Sequence, residues 1–201
     1  MKFIRRIALS ALMLSSSAFA AWPDKPISII VPWGAGGNTD TVARLVAQGL
    51  QKELGVNVNV INRTGGSGVV GHDAIHRAKA DGYTLGVVTV EIAMMHHQKM
   101  TPLSYQDYTP ISRLALIYGG LQVAKDSPYK NANELMDAIK QQPGKLRASG
   151  SGLKSVWHLN TLGMLRSAQL PDSAVRFVPS QGSSAALQEL VSGGVDFVTS
   201  S

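Results

Sequence analysis

The chain has 201 residues, 44% of them hydrophobic, with 20 glycines, no cysteine, and 19 Lys and Arg against 13 Asp and Glu. Without cysteine it can hold no disulfide framework, Cys-ligated zinc, iron–sulfur cluster, thiol nucleophile or lipoprotein anchor. The apolar content and frequent glycines are those of a globular chain with many turns.

Much of the formal charge of +6 sits at the start, where Lys2, Arg5 and Arg6 precede the apolar run Ile7 to Leu14 and then Ala18-Phe19-Ala20. A basic stretch, a short apolar stretch and a small-x-small site are the three parts of a secretory signal peptide. The apolar run is far short of the roughly 20 residues that cross a bilayer. Cleavage after Ala20 removes those three charges and takes +6 to +3, so the mature chain is expected to be exported and only mildly basic. Its remaining Lys and Arg are scattered singly, whereas nucleic-acid binding needs a concentrated basic patch, so no nucleic-acid partner is expected.

Ile27 to Val31 is a short β-branched run of the kind that makes a buried strand. Trp33-Gly34-Ala35-Gly36-Gly37-Asn38 leads into an amphipathic helix with Val42, Leu45, Val46, Leu50 and Leu54 on one face and Gly55 at its end. Val56, Val58 and Val60 alternate with asparagines as a second strand. The loop Gly65-Gly66-Ser67-Gly68 opens a helix carrying Val70, Ala74, Ile75 and Ala78, and Asp81-Gly82 turns into a third strand, Tyr83 to Val90. Strand, helix, strand, helix, strand of this length predicts a parallel α/β unit.

The middle is less regular, with Pro102 and Pro110 flanking it and an apolar strand expected over Leu114 to Val123. Asn131 and Glu134 have the spacing of an N-cap and its reciprocal N3 partner, opening a helix with Leu135, Met136 and Ile139 buried. Strands Leu146 to Ser149, Val175 to Val178 and Val195 to Thr199 then alternate with helices near 156–166 and 184–191. Two α/β units are expected: lobe one over 21–115 and lobe two over 116–201, after the leader at 1–20.

Three places repeat one layout, a strand, a Gly/Ser-rich loop and a helix: Trp33 to Asp40, Ser149 to His158, and Ser180 to Ser184. Unpaired amides and the positive dipole end of a helix make an anion site, and glycines let a ligand reach the backbone. Any one such loop is equally an ordinary tight turn or N-cap. Three together argue for a cleft that holds an anion without a dedicated arginine. The candidate contacts are Trp33, Gly34, Ala35, Gly36, Gly37, Thr39 and Asp40, then Ser149, Ser151, Ser155 and His158, then Ser180, Gly182 and Ser183.

Other motifs carry less. The glycines at 65–71 lack a following Gly-Lys-Ser/Thr and fit no GxGxxG register, so no nucleotide cofactor is expected. His72-Asp73-Ala74-Ile75-His76 resembles HExxH, but Asp is too short for the general base and no third ligand follows. Two solvated histidines on a polar helix face is the preferred account, and no metal is expected; a secreted metal-dependent hydrolase using His72 and His76 is the alternative. His96-His97 reads as loop packing, and no G-x-S-x-G elbow is present. Trp157-His158 is either a packing pair or a stacking and hydrogen-bonding surface for an anion.

The chain resembles the Bug-type receptors, the periplasmic solute-binding components of tripartite tricarboxylate transporters. The resemblance rests on Pro26-Ile27 through Val31-Pro32, Gly36-Gly37-Asn38-Thr39-Asp40, Ala43-Arg44-Leu45, Asn62-Arg63 with the glycines after it, and Asp81-Gly82-Tyr83-Thr84-Leu85. It continues through Pro143-Gly144-Lys145-Leu146, the loop ending at His158-Leu159, and Val178-Pro179-Ser180-Gln181-Gly182-Ser183. It implies a two-lobed α/β fold of the type II periplasmic-binding-protein kind, closing on a small carboxylate, with ligand loops at the same three places. It also implies a non-catalytic receptor that works with membrane permease subunits, and a monomer is expected; a periplasmic sensor would share the binding chemistry. Gly34-Ala35 and Lys154 depart from the family pattern, and Glu91 near the cleft would repel a carboxylate unless it pairs with an amine or a lysine, which leaves an amino-acid-like or mixed-charge ligand open. Family members run further than Ser201, so the fold is expected to be truncated at the C-terminus, either as a shortened product or as a partial reading frame. Phe197 to Ser201 would then leave an unpaired or half-used strand.

Overall fold

The structure is a computed structural model and describes residues 22–201; the signal-peptide reading lies outside these residues. Strand β1 (Ile27–Val31) is apolar and buried at every position but Ser28. It runs parallel to β2 (Val58–Asn62), Ile27 opposite Val58, and parallel to β3 (Thr84–Gly86), Ser28 opposite Thr84, giving the order β2-β1-β3.

Helix α1 (Asn38–Leu54) packs Ala43, Val46, Ala47, Leu50 and Leu54 on this sheet. Leu45, expected on that face, is 63% exposed; the small residues Ala43 and Ala47 let the helix approach closely and set its rotation one position away. Gly55 ends α1 at φ 69°, and its N–H donates to Gln51 O at 3.1 Å, a left-handed cap that glycine adopts without strain. Helix α2 (Val69–His76) follows a 3-10 turn at Gly66–Gly68. Gly71 is obligatory there, since a Cβ would lie 2.4 Å from Pro32 Cα.

The third strand is shorter than the expected Tyr83 to Val90. Val87 N–H still donates to Ile30 O at 2.9 Å, but β1 then reaches Pro32, which has no N–H to continue a ladder. The chain leaves the sheet and enters a 3-10 turn, Val90–Ala93.

The expected strand Leu114 to Val123 is reduced to β4 (Gly120–Gln122). Ile111, Leu116 and Tyr118 are exposed and irregular, because β4 finds a partner only along β7 (Phe197–Ser200). The second sheet has the order β4-β7-β5-β6, with β5 (Arg147–Ser149) parallel to β6 (Arg176–Phe177) and to β7, and β4 antiparallel to β7. The end of the chain is therefore not an unpaired strand. β7 is interior, bonded on both sides and buried along its length.

Helix α3 (Ala132–Gln141) and helix α4 (Val156–Ser167) enclose the core of Leu135, Ile139, Leu146, Leu165 and Phe197. The Asn131 side chain accepts from Glu134 N–H at 3.0 Å, while the Glu134 carboxylate accepts from Lys130 N–H at 2.7 Å, one residue before the expected partner. Helix α5 (Ser183–Val191) buries Ala186 and Leu190 against Val195 and Val198. Among the described residues no helix is long and apolar enough to cross a membrane.

Candidate functional site

The loops after β1, β2, β5 and β6 face one another between the two sheets. Trp33, Gly65, Gly66, Ser67, Gly68, Gly152, Leu153, Pro179, Ser180 and Gln181 line a cleft of about 350 Å³. None of these side chains is charged.

Hydrogen bonds join the lobes around the cleft. Gly34 N–H donates to Gln181 O at 3.0 Å, the Thr64 hydroxyl to Gln181 Oε1 at 2.7 Å, and the Ser67 hydroxyl to Leu153 O at 2.7 Å. The approach is tight: a Cβ on Gly152 would lie 2.1 Å from Ser67 Oγ and 3.0 Å from Ser67 Cα. Farther out, the Asn38 amide donates to Ser201 Oγ at 2.8 Å.

The first candidate loop is braced from within. Asp40, 2% exposed, accepts from Gly36 N–H at 2.9 Å, from Asn62 Nδ2 at 2.9 Å, and from Arg44 Nε and Nη2 at 2.8 and 3.0 Å. Burial by itself would raise the Asp40 carboxyl, but these donors outweigh it and hold it below the usual carboxylate range. Asn62 Nδ2 also donates to Trp33 O at 2.9 Å, tying the loop to β2. Trp33 alone of this set lines the cleft; Gly34 gives its N–H to lobe two, and Ala35 and Gly36 are exposed. Gly37 caps α1, whose first turn holds Thr39.

In lobe two, Ser180 lines the cleft. Its hydroxyl donates to Gly182 O at 3.1 Å, and Gly182, at φ 137°, caps α5 just before Ser183. Ser149 donates to Val178 O at 2.7 Å, and the Ser151 and Ser155 hydroxyls are buried against each other. His158 Nδ1 accepts from Lys154 N–H at 3.0 Å, its ring 4.5 Å from that of Phe177. Burial, partly opposed by Asp172, lowers the His158 pKa.

The glycines at 65, 66 and 68 line this cleft together with Ser67. Gly65, Gly66 and Gly68 take positive φ, as does Ser67 at 54°, which aims the Ser67 hydroxyl across the cleft. The run of glycines marks the loop, whereas Leu153 and Gln181 lie inside two of the expected loops without a residue type that singles them out.

His72 departs from the expectation of a solvated residue. It is fully buried, with Nδ1 2.8 Å from Gly68 O and Nε2 accepting from Thr89 N–H at 3.1 Å. This pattern fixes the neutral Nδ1–H form, and burial pushes its pKa down. α2 presents 72 to the interior because Gly71 beside it packs on Pro32. Both ring nitrogens are occupied by the protein, while His76 is exposed, so the pair does not converge. Among the described residues no group of three or more His, Asp or Glu could hold a metal ion. Glu91 is buried at the lobe junction, where its Oε1 accepts from Val156 N–H at 3.3 Å.

A family model described as the tripartite tricarboxylate transporter family receptor matches residues 42–201. The Bordetella pertussis protein BugT is 31% identical over 206 residues, covering 97% of this chain and 62% of its own length. A solved periplasmic transporter is 31% identical, with a TM-score of 0.82 over 89% of this chain and 60% of its own. Two Rhodopseudomonas palustris proteins, one solved with adipate and one with malate, are each 29% identical over 88% of this chain, with TM-scores of 0.77 and 0.75. The match covers 59% and 60% of those chains. The chain thus spans about three fifths of the length of these relatives.

Proposed function

The chain belongs to the tripartite tricarboxylate transporter receptor family, and from that premise we propose that it is a non-catalytic periplasmic receptor for a small dicarboxylate. The ligand is delivered to membrane permease subunits. The observation that carries the reading is the uncharged cleft between two α/β lobes, walled by glycine-rich loops whose strands end there. A carboxylate in such a cleft is held by backbone N–H groups and hydroxyls, which supply a positive field without a cationic side chain. The cleft volume of about 350 Å³ suits a small ligand. Malate and adipate in two relatives support the dicarboxylate class.

The ligand is held between closed lobes. The Gly65–Gly68 loop and the Gln181 loop approach from opposite sides, and the bonds Ser67 to Leu153 and Thr64 to Gln181 complete the enclosure. A ligand that bonds both sides favours the closed state by its extra affinity for it. The lobes divide near residue 115, a leader ending at Ala20 exports the chain, and the receptor acts as a monomer.

Calorimetric titration with malate and adipate tests the reading, with succinamide as the uncharged control. Saturable binding of either diacid, with a matching rise in Tm, is the expected result. Equal binding of the diamide, or no binding of any diacid, would refute it.

A further inference from the structure

One acidic side chain of lobe one rests on the first turn of a helix in lobe two. Glu91 is 3% exposed; its Oε1 accepts from Val156 N–H at 3.3 Å and its Oε2 accepts from the Thr89 hydroxyl at 2.6 Å. Val156 is the first residue of α4, so its amide is one of those with no partner inside the helix. The helix dipole favours a carboxylate there, and α4 has no acidic residue of its own in that turn.

Glu91 is held in place from behind by the cleft wall. Thr89 Oγ1 accepts from Trp33 Nε1 at 3.2 Å, and Thr89 N–H donates to His72 Nε2, whose other nitrogen meets Gly68 O. Trp33 and Gly68 both line the cleft. The buried histidine thus orients the segment that carries Glu91.

We propose that Glu91 is an internal carboxylate latch, occupying the α4 N-terminus and holding the lobes together when the cleft is empty. A ligand whose carboxylate uses the α4 amides must displace it, and that clause alone rests on the carboxylate-receptor reading. Glu91 therefore sets the balance between open and closed lobes.

The chain has no cysteine, so Lys52→Cys and Ser192→Cys, both at exposed positions, take a pair of spin labels that reports the distance between lobes. The ligand-free labelled protein is expected to give one narrow, short distance. Glu91→Ala should lengthen and broaden it. Glu91→Gln, which keeps the acceptor and loses the charge, should fall between. Val156→Pro should open the lobes as Glu91→Ala does, because proline at the first helical position removes the N–H and keeps the helix. Ser155 before it, at φ −71° and ψ 170°, already has the backbone that precedes a proline. A cooperative melt of each variant confirms that it is folded. An unchanged distance in Glu91→Ala overturns the latch, and so does opening in Glu91→Ala without opening in Val156→Pro. Malate added to Glu91→Ala should restore the short distance. Malate that binds and leaves the lobes apart overturns the exchange of one carboxylate for the other. If malate binds neither protein, the receptor reading fails and the ligand-free distances still decide the latch.

Discussion

Helices α1 and α4 both begin beside a buried carboxylate, and the two are supplied differently. Asp40 lies on α1 itself and closes on Gly36, Arg44 and Asn62, all within lobe one. α4 receives Glu91 from the other lobe, 65 residues earlier in the chain. The first arrangement is complete whether or not the lobes touch; the second exists only while they do. Asp40 should therefore govern stability, and Glu91 conformation.

Asp40→Ala is the largest expected loss. It leaves the Gly36 N–H and the Asn62 amide without their acceptor and frees half-exposed Arg44, at a cost of about 2–3 kcal/mol in urea unfolding. The Asp40 pKa is lowered in the fold, so its stabilisation is full above the unfolded value of about 4 and is lost as pH falls through the folded one. Asp40→Asn should flatten that acid limb. A cost no greater than that of an exposed ion pair would dissolve the contrast with α4.

Glu91→Ala should cost less, about 1–2 kcal/mol, because it removes the acceptor of one amide and one hydroxyl. Its neighbour His72 adds a different pH dependence. Burial lowers the His72 pKa, so its contribution is complete above the unfolded value of about 6.5 and declines as pH falls from there. Thermal melts from pH 8 to 3 should show this earlier decline, and His72→Gln should reduce it to the part that partly buried His158 contributes, while the Asp40 limb remains.

Ser155→Ala comes next, at about 1 kcal/mol. Ser155 precedes α4 but makes no side-chain cap bond; its hydroxyl pairs with Ser151. Far-UV circular dichroism should show the helix intact, whereas a loss of helix would mean that α4 is capped locally after all. Arg166→Ala, removing an exposed pair with Asp172, should leave the urea midpoint unchanged within error, because solvent screens such a pair.

What could be read from the sequence follows the same division. The β-branched run of β1, the periodic apolar face of α1, the Asn131 cap and the strand–loop–helix rhythm depend on residues a few positions apart, and they fold as the pattern predicts. Leu45 marks the limit of that pattern, since periodicity gives a stripe but the partner sheet chooses its edge. The Gly/Ser loops are where the strands end, yet only Trp33 and Ser180 of the expected contacts line the cleft. In several of the others, backbone or side-chain groups face the protein's own donors and acceptors, as at Gly36, Asp40 and Ser149.

The sequence by itself determined the alternation of strands and helices, the local caps and the glycines that shape the cleft loops, because those depend on backbone sterics and spacing within a turn or two. Tertiary structure alone decided that His72 is buried, that β7 lies inside its sheet, that Leu114 to Gly119 stays out of the sheet, and that Glu91 meets Val156. Each of these is set by which surface arrives from far along the chain. A buried amide, imidazole or carboxylate must find a partner wherever the fold brings one, and no local pattern records where that will be.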